Sequence, residues 1–284
     1  MLFKTVAIVG VGLIGGSLGA ALRDRRAAER VRGIGYRTST LQQAMQLGCV
    51  DEVTTDAAEG VRDADLVVLA TPVRLIAAKA RELAGSVPPG CLITDVGSSK
   101  KLITEQLDAI FDGRARYVGS HPMAGSEKRG SVHSSRGLFE GALCILTPTP
   151  RTDGEALRHV ARMWQAVGAR TDEMSPEEHD RRVAFASHLI HVAAACMVNA
   201  QSAGSLDCAS SGFADTTRVA GSDPQLWRDI CLDNSAEIAA AIDTLIGELG
   251  DFKAIVENGD ADALLRKFTQ AAEARRAWNQ RRPA

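Results

Sequence analysis

The sequence predicts an α/β doubly wound parallel sheet followed by an all-α region, and three observations carry that reading. Short apolar runs recur through the first 150 or so positions, separated by helical stretches. A glycine-rich turn follows the first of these runs. After Met174 no run reads as a strand. The 284 residues suit two domains, with the division expected at 1–174 and 175–284.

Taken in order, Val6-Ala7-Ile8-Val9 is apolar at every position, as expected of a strand covered on both faces. The glycine turn and a helix from about Leu13 to Ala28 come next, then a second strand from Val31 to Tyr36. Leu66 to Ala70 is a third strand, closed by Thr71-Pro72. Cys91 to Val96 is another, opened by the turn Pro88-Pro89-Gly90. Arg116 to Gly119 and Ala142 to Leu146 complete the clear strands, and a helix near Gly154 to Val167 with a short strand closes the α/β part.

Ser175-Pro176-Glu177-Glu178 then reads as a helix start: Ser as N-cap, Pro at the first helical position, acids in the first turn. The helix it opens carries Phe185, Leu189, Val192 and Ala195, and a Gly/Ser-rich loop from Gly204 to Gly212 follows. Ser222-Asp223-Pro224 opens another long helix through Ile230, Ile238, Ile242, Leu245 and Leu249. The last helix begins near Asp260, after Asn258-Gly259.

Lysines and arginines number 33 against 35 acidic residues, a net charge of -2, which argues against general nucleic-acid binding. The six cysteines form no C-x-x-C pair, so reduced thiols in a cytoplasmic protein are expected. The apolar stretch 6–16 is too short to span a bilayer and lacks a signal-peptide cleavage pattern, so no membrane association is expected.

Gly10-x-Gly12-x-x-Gly15 lies between the first strand and a helix, with a second strand at the right distance: the dinucleotide fingerprint of a Rossmann unit. The first glycine permits the tight turn, the second admits the pyrophosphate, and the third lets helix and strand pack closely. The anion would sit on the free N–H groups at Leu13, Ile14 and Gly15. Thr71 and Pro72, at the same sheet edge, join the cofactor set. Where an NAD enzyme usually has an acid for the ribose hydroxyls, this chain has Tyr36-Arg37-Thr38-Ser39. Arg37 beside two hydroxyls suits a 2′-phosphate, so NADP is favoured slightly over NAD.

Further segments fall where chemistry is expected. Asp95-Val96-Gly97-Ser98-Ser99-Lys100 and His121-Pro122-Met123-Ala124-Gly125-Ser126-Glu127-Lys128 both follow strands at the carboxyl edge, where doubly wound sheets bind ligands. The helical region adds Ser187-His188-Leu189-Ile190-His191 and the span from Asp215 through Arg218 to Arg228. His121, converging with Ser98 and the nucleotide turn, is the expected base. Arg218, in a Thr-rich loop before a helix, suits an anion clamp. His188 and His191 share one helix face, but zinc pairs on helices favour i,i+4 spacing, and no metal is expected.

Together these runs, with Gly12-Leu13-Ile14-Gly15-Gly16-Ser17, resemble the prephenate dehydrogenase family, which includes arogenate dehydrogenases of tyrosine synthesis. The resemblance spans nearly the whole chain. It implies that His121 hydrogen-bonds the 4-hydroxyl of the substrate ring and accepts its proton as hydride leaves. Ser98 would orient His121 and the nicotinamide, and His191 and Arg218 would bind substrate. Ser126 joins that substrate set, and Glu127, Asp215 and Arg218 would form an ionic gate at the entrance. The helical domain would make a homodimer, with the active site in the cleft between domains. No room is seen for a fused chorismate mutase or an added regulatory domain, so any tyrosine feedback is expected at or near the active site. A β-hydroxyacid-type dehydrogenase would place a catalytic Lys on the helix that here presents Ser187, His188 and His191. A non-catalytic NADP sensor would lack the equivalents of His121 and Ser98.

Overall fold

The computed structural model describes residues 1–126, 128 and 130–281. Eight strands form one sheet: β1 (Phe3–Val9), β2 (Ala28–Ile34), β3 (Glu52–Thr54), β4 (Leu66–Leu69), β5 (Leu92–Asp95), β6 (Arg116–Pro122), β7 (Leu143–Thr147) and β8 (Arg170–Glu173). Their order is β3-β2-β1-β4-β5-β6-β7-β8, and every neighbouring pair is parallel except β6 with β7. The sheet is doubly wound, and its strand order turns between β1 and β4.

The strand period of two divides the apolar runs between two cores. Val6, Ile8, Leu66 and Val68 face one side, packed on α1 (Leu13–Asp24), α2 (Thr38–Gln46) and α6 (Gly154–Ala166). Ala7, Val9, Val67 and Leu69 face the other, packed on α3 (Ala57–Val61), α4 (Val73–Leu83) and α5 (Lys101–Phe111). Both faces are covered, which is why these strands are apolar throughout.

Four features differ from the sequence reading. Helix α1 stops at Asp24, and Ala28 already belongs to β2. The stop is a Schellman turn: Arg26 N–H bonds Arg23 C=O at 3.0 Å, Ala27 N–H bonds Leu22 C=O at 2.9 Å, and Arg26 takes the left-handed φ of 52° usually left to glycine. Strand β3 is an additional short edge strand, and β2 ends at Ile34. β7 runs antiparallel to β6: among the described residues, the connection from Met123 to Ala142 has a 3₁₀ turn at Ser131–His133 and no crossover helix.

The fourth difference concerns the helical region. The helix opened at Ser175, whose hydroxyl accepts the Glu178 N–H, runs as α7 (Pro176–Val183), a π-helical turn (Ala184–His188) and α8 (Leu189–Asn199). The loop after it contains α9 (Ser211–Thr217) and a 3₁₀ turn at Arg218–Gly221, so Arg218 sits at a helix end. The next helix is broken: α10 (Pro224–Asp233), capped by the Asp223 carboxylate, ends at Asn234, and α11 (Ser235–Asn258) begins after it. Asn234 is buried, and its amide donates to the Asp180 carbonyl at 2.9 Å.

The chain divides into two compact units, Met1–Ser235 and a second that starts at Ala236. The first includes α7 to α10 together with the sheet. Asp180 of α7 accepts the backbone N–H groups of Lys100 and Lys101, the first turn of α5, at 2.7 and 2.9 Å. The second unit pairs α11 with α12 (Ala261–Arg281). Gly259, at φ +66°, turns the chain between them, and Phe252 meets Phe268 with ring centroids 5.5 Å apart.

Candidate active site

The nucleotide turn lies where the strand order reverses, the crevice at which doubly wound sheets take ligands. Gly10 has φ +99°, and a Cβ there would stand 2.6 Å from the Ala70 carbonyl oxygen. A Cβ on Gly15 would lie 2.1 Å from the Gly10 carbonyl oxygen, whereas one on Gly12 would meet nothing within 4 Å. The space over Gly12 is therefore open, and no side chain caps α1, which leaves the Leu13, Ile14 and Gly15 N–H groups for an anion. Across the crevice, beside Pro72, the Thr71 hydroxyl is buried with no partner among the described residues, a polar group that a bound dinucleotide would satisfy. The residues present thus fit a dinucleotide. Arg37 forms the exposed N-cap position of α2, its guanidinium 5.0 Å from the Tyr36 ring centroid, with Thr38 and Ser39 following in the first turn.

At the end of β6, His121 is buried and belongs to the wall of a cavity of about 360 Å³. Its Nδ1 lies 2.8 Å from Nε2 of His179, and His179 Nδ1 lies 2.8 Å from the Asp180 carboxylate. Burial pushes the His121 pKa well below the usual histidine value, and the neighbouring His179, Lys100 and His188 push the same way. The imidazole is therefore neutral near pH 7. Burial also works to raise the Asp180 pKa, but the hydrogen bonds from His179 and from the Lys101 and Lys100 backbone outweigh it and hold the carboxylate ionised.

The same cavity gathers Ser126, Lys128, Ser187, His191, Arg218 and Trp227. The His191 ring stacks on Trp227 with centroids 3.6 Å apart, and its Nδ1 lies 3.1 Å from the Ser187 carbonyl oxygen. That bond assigns the His191 proton to Nδ1, leaving Nε2 as an acceptor. His188 goes elsewhere: fully buried, with Nδ1 3.3 Å from the Asn234 amide.

Of the residues expected from sequence, His121, Ser126, His191 and Arg218 meet in this cavity. Asp215 is exposed on α9, three residues before Arg218, and is not part of the wall. Glu127 lies outside the described residues. Ser98 follows β5 at the sheet edge, but no hydrogen bond joins it to His121 among the described residues; His179 holds that ring instead. His179 and Asp180 escaped the sequence reading because 58 positions separate His121 from His179, and no spacing rule links them. Trp227 and Lys128 stood inside quoted motifs, yet only the fold brings them to one wall.

Two family models match the chain: "Prephenate dehydrogenase, nucleotide-binding domain" over residues 18–173 and "Prephenate dehydrogenase, dimerization domain" over 175–270. A prephenate dehydrogenase of Bacillus subtilis is 37% identical over 95% of this chain and 75% of its own. A cyclohexadienyl dehydrogenase of Zymomonas mobilis is 33% identical over 97% of this chain and 96% of its own. The crystal structure of prephenate dehydrogenase from A. aeolicus, in complex with hydroxyphenyl propionate and NAD+, superposes with a TM-score of 0.90. It is 34% identical over 96% of this chain and 98% of that one.

Proposed function

Since the chain belongs to the prephenate dehydrogenase family, we propose that it oxidises and decarboxylates prephenate to 4-hydroxyphenylpyruvate with a nicotinamide dinucleotide as hydride acceptor. The observation that carries the reading is the cavity itself. A neutral, buried His121 shares its wall with two cationic side chains, Arg218 and Lys128, as a base would in a site for a ring dicarboxylate.

His121 accepts the proton of the ring hydroxyl while the carbon bearing it loses hydride. The oxygen becomes a carbonyl conjugated to the ring diene, an electron sink for the bond to the ring carboxylate, and carbon dioxide leaves. The electrons return to the ring oxygen, which recovers its proton from His121 as the ring aromatises. Arg218 and Lys128 take the carboxylates, and His191, stacked on Trp227, offers Nε2 to the substrate. Ser126 lies at the rim, and Glu127 with Asp215 would complete an ionic gate around Arg218. Ser98 is assigned to orienting the nicotinamide. The bound dinucleotide supplies the hydride acceptor; Gly10, Gly12, Leu13, Ile14, Gly15, Thr71 and Pro72 would hold it, with Arg37 at the ribose.

We further propose that the helical part from residue 175 onward serves substrate binding and makes a homodimer. NADP is favoured over NAD because Arg37 and the uncapped first turn of α2 offer positive potential where a ribose acid usually stands. The six unpaired cysteines fit the cytoplasm. Steady-state assays of prephenate and arogenate, each with NAD+ and NADP+, test the whole reading. Highest kcat/KM with prephenate and NADP+ is expected. A clear preference for arogenate would replace the substrate, a strong NAD+ preference would remove the role given to Arg37, and inactivity with both substrates would refute the enzyme.

A further inference from the structure

Resting on the dehydrogenase reading above, we infer that His179 and Asp180 are positioning residues that fix the tautomer of His121 so that its bare Nε2 faces the substrate. The assignment follows from hydrogen-bond capacity, given that burial keeps His179 neutral. The Asp180 carboxylate already accepts the backbone N–H groups of Lys100 and Lys101, and as an anion it can only accept. The third bond, 2.8 Å from His179 Nδ1, must therefore be donated by His179. A neutral His179 with its proton on Nδ1 has a lone pair on Nε2. That lone pair, 2.8 Å from His121 Nδ1, must receive its proton. Nε2 of His121 is left unprotonated, with no described partner, on a residue of the cavity wall.

The chain also handles the charge that forms during turnover. When the substrate O–H bond breaks, the proton joins His121 Nε2 and the ring becomes an imidazolium. Its Nδ1–H already points at His179, whose own donor faces Asp180, so the new cation is stabilised without reorganisation. The proton then returns from Nε2 to the ring oxygen when carbon dioxide has left, and the chain of three is restored. Other charged or titratable groups packed around His121 are Lys100 before α5, Asp95 at the end of β5, Cys144 on β7, His188 in the π turn, and Lys128, His191, Arg218 and Asp223 around the cavity. Among the described residues the hydrogen bond of the His121 ring is made with His179.

Asp180→Asn removes the anion that fixes the order, because an amide meets His179 Nδ1 with an N–H or with its oxygen, and either way its NH2 opposes a backbone N–H of Lys100 or Lys101. With the N–H toward His179, His179 donates from Nε2 and His121 carries its proton on the nitrogen that must be bare. The expected loss in kcat at neutral pH is about 10²- to 10⁴-fold, with KM changed little. Position 179 gives a second, independent test. His179→Gln keeps an acceptor for His121 Nδ1 and should retain at least about tenfold more kcat than His179→Leu, which has none. Histidine ¹⁵N NMR of the wild-type protein reads the tautomer without any turnover and should show His121 protonated on Nδ1. A wild-type His121 protonated on Nε2 would overturn the inference, as would Gln and Leu variants of equal kcat. So would an Asp180→Asn enzyme with wild-type kcat. Inactivity of the wild type on both ring substrates would instead strike the dehydrogenase reading, and the NMR result would still stand on its own.

Discussion

Lys100 carries its ammonium where no solvent reaches it. The side chain is fully buried, paired with the equally buried Asp95, and donates to the Ser120 carbonyl at 3.0 Å. Asp95 in turn receives the Tyr117 hydroxyl at 2.9 Å and the Gly97 N–H at 2.8 Å. This knot ties the carboxyl end of β5 to that of β6, one residue before His121, and sets a positive charge near the base that adds to the burial keeping it neutral. Removing one member leaves the other charge buried without its counter-ion, which costs about 3–5 kcal/mol. Lys100→Met should therefore lower the urea-unfolding free energy by about that amount. Adding Asp95→Asn to the same chain should recover a clear part of the loss, because the orphaned anion is gone. An equal loss in single and double variants would show that packing, and not charge, sets the cost. The sequence displays both residues in one motif at the sheet edge, but that Lys100 turns inward is decided by β6 and is not written in their spacing.

The helix that runs through α7, the π turn and α8 carries three histidines, and burial lowers the pKa of each, His188 to about 4. In the unfolded chain they titrate near 6.5. Between pH 6.5 and the lower folded values the unfolded state therefore binds more protons than the folded one. The stability they contribute is fully present above pH 6.5 and drains away as pH falls through the folded pKa values. For each histidine fully linked in this way the slope approaches about 1.4 kcal/mol per pH unit. Urea titrations at pH 7, 6 and 5 should show the midpoint falling steadily, and His188→Gln should flatten that fall. A midpoint independent of pH would mean that the folded helix accepts these protons freely. The start of this helix was legible because Ser175 and Pro176 act within one turn. Its π turn was not, and neither was the break at Asn234. Both depend on contacts made across the fold, Asn234 bonding Asp180 and His188, which lie 54 and 46 residues away. Likewise the glycine turn was readable as local geometry, whereas the reversal of β7 is set by how the long connection after β6 returns to the sheet.

At the scale of the molecule, the helices leave a series of large apolar side chains exposed. In the first unit Phe185, Ile190, Met197 and Val198 are exposed along one continuous helix; in the second, Ile246, Leu249, Val256, Leu265 and Phe268 are. Part of the Pro176–Asn199 stretch even reaches a mean hydropathy of 1.2, long and apolar enough by length and composition to cross a membrane. It is anchored otherwise: Asp180 caps α5, and Asn234 bonds the Asp180 carbonyl, so its first turns are tied to the sheet. A second copy of the chain is the partner that fits, since the family model matching residues 175–270 describes a dimerization domain. Interfaces of obligate dimers commonly bury above about 2,000 Å² and are core-like in composition, which these side chains supply. Sedimentation equilibrium at micromolar concentration should give twice the chain mass. Ile190→Glu and Leu249→Glu, one from each unit, should each shift the population toward monomer while far-UV circular dichroism at low temperature stays helical. Both charges would then face solvent in the monomer, where they cost little, and would be buried only on association. A wild-type chain that sediments as a monomer would leave these faces without a partner copy and would require a different occupant for them.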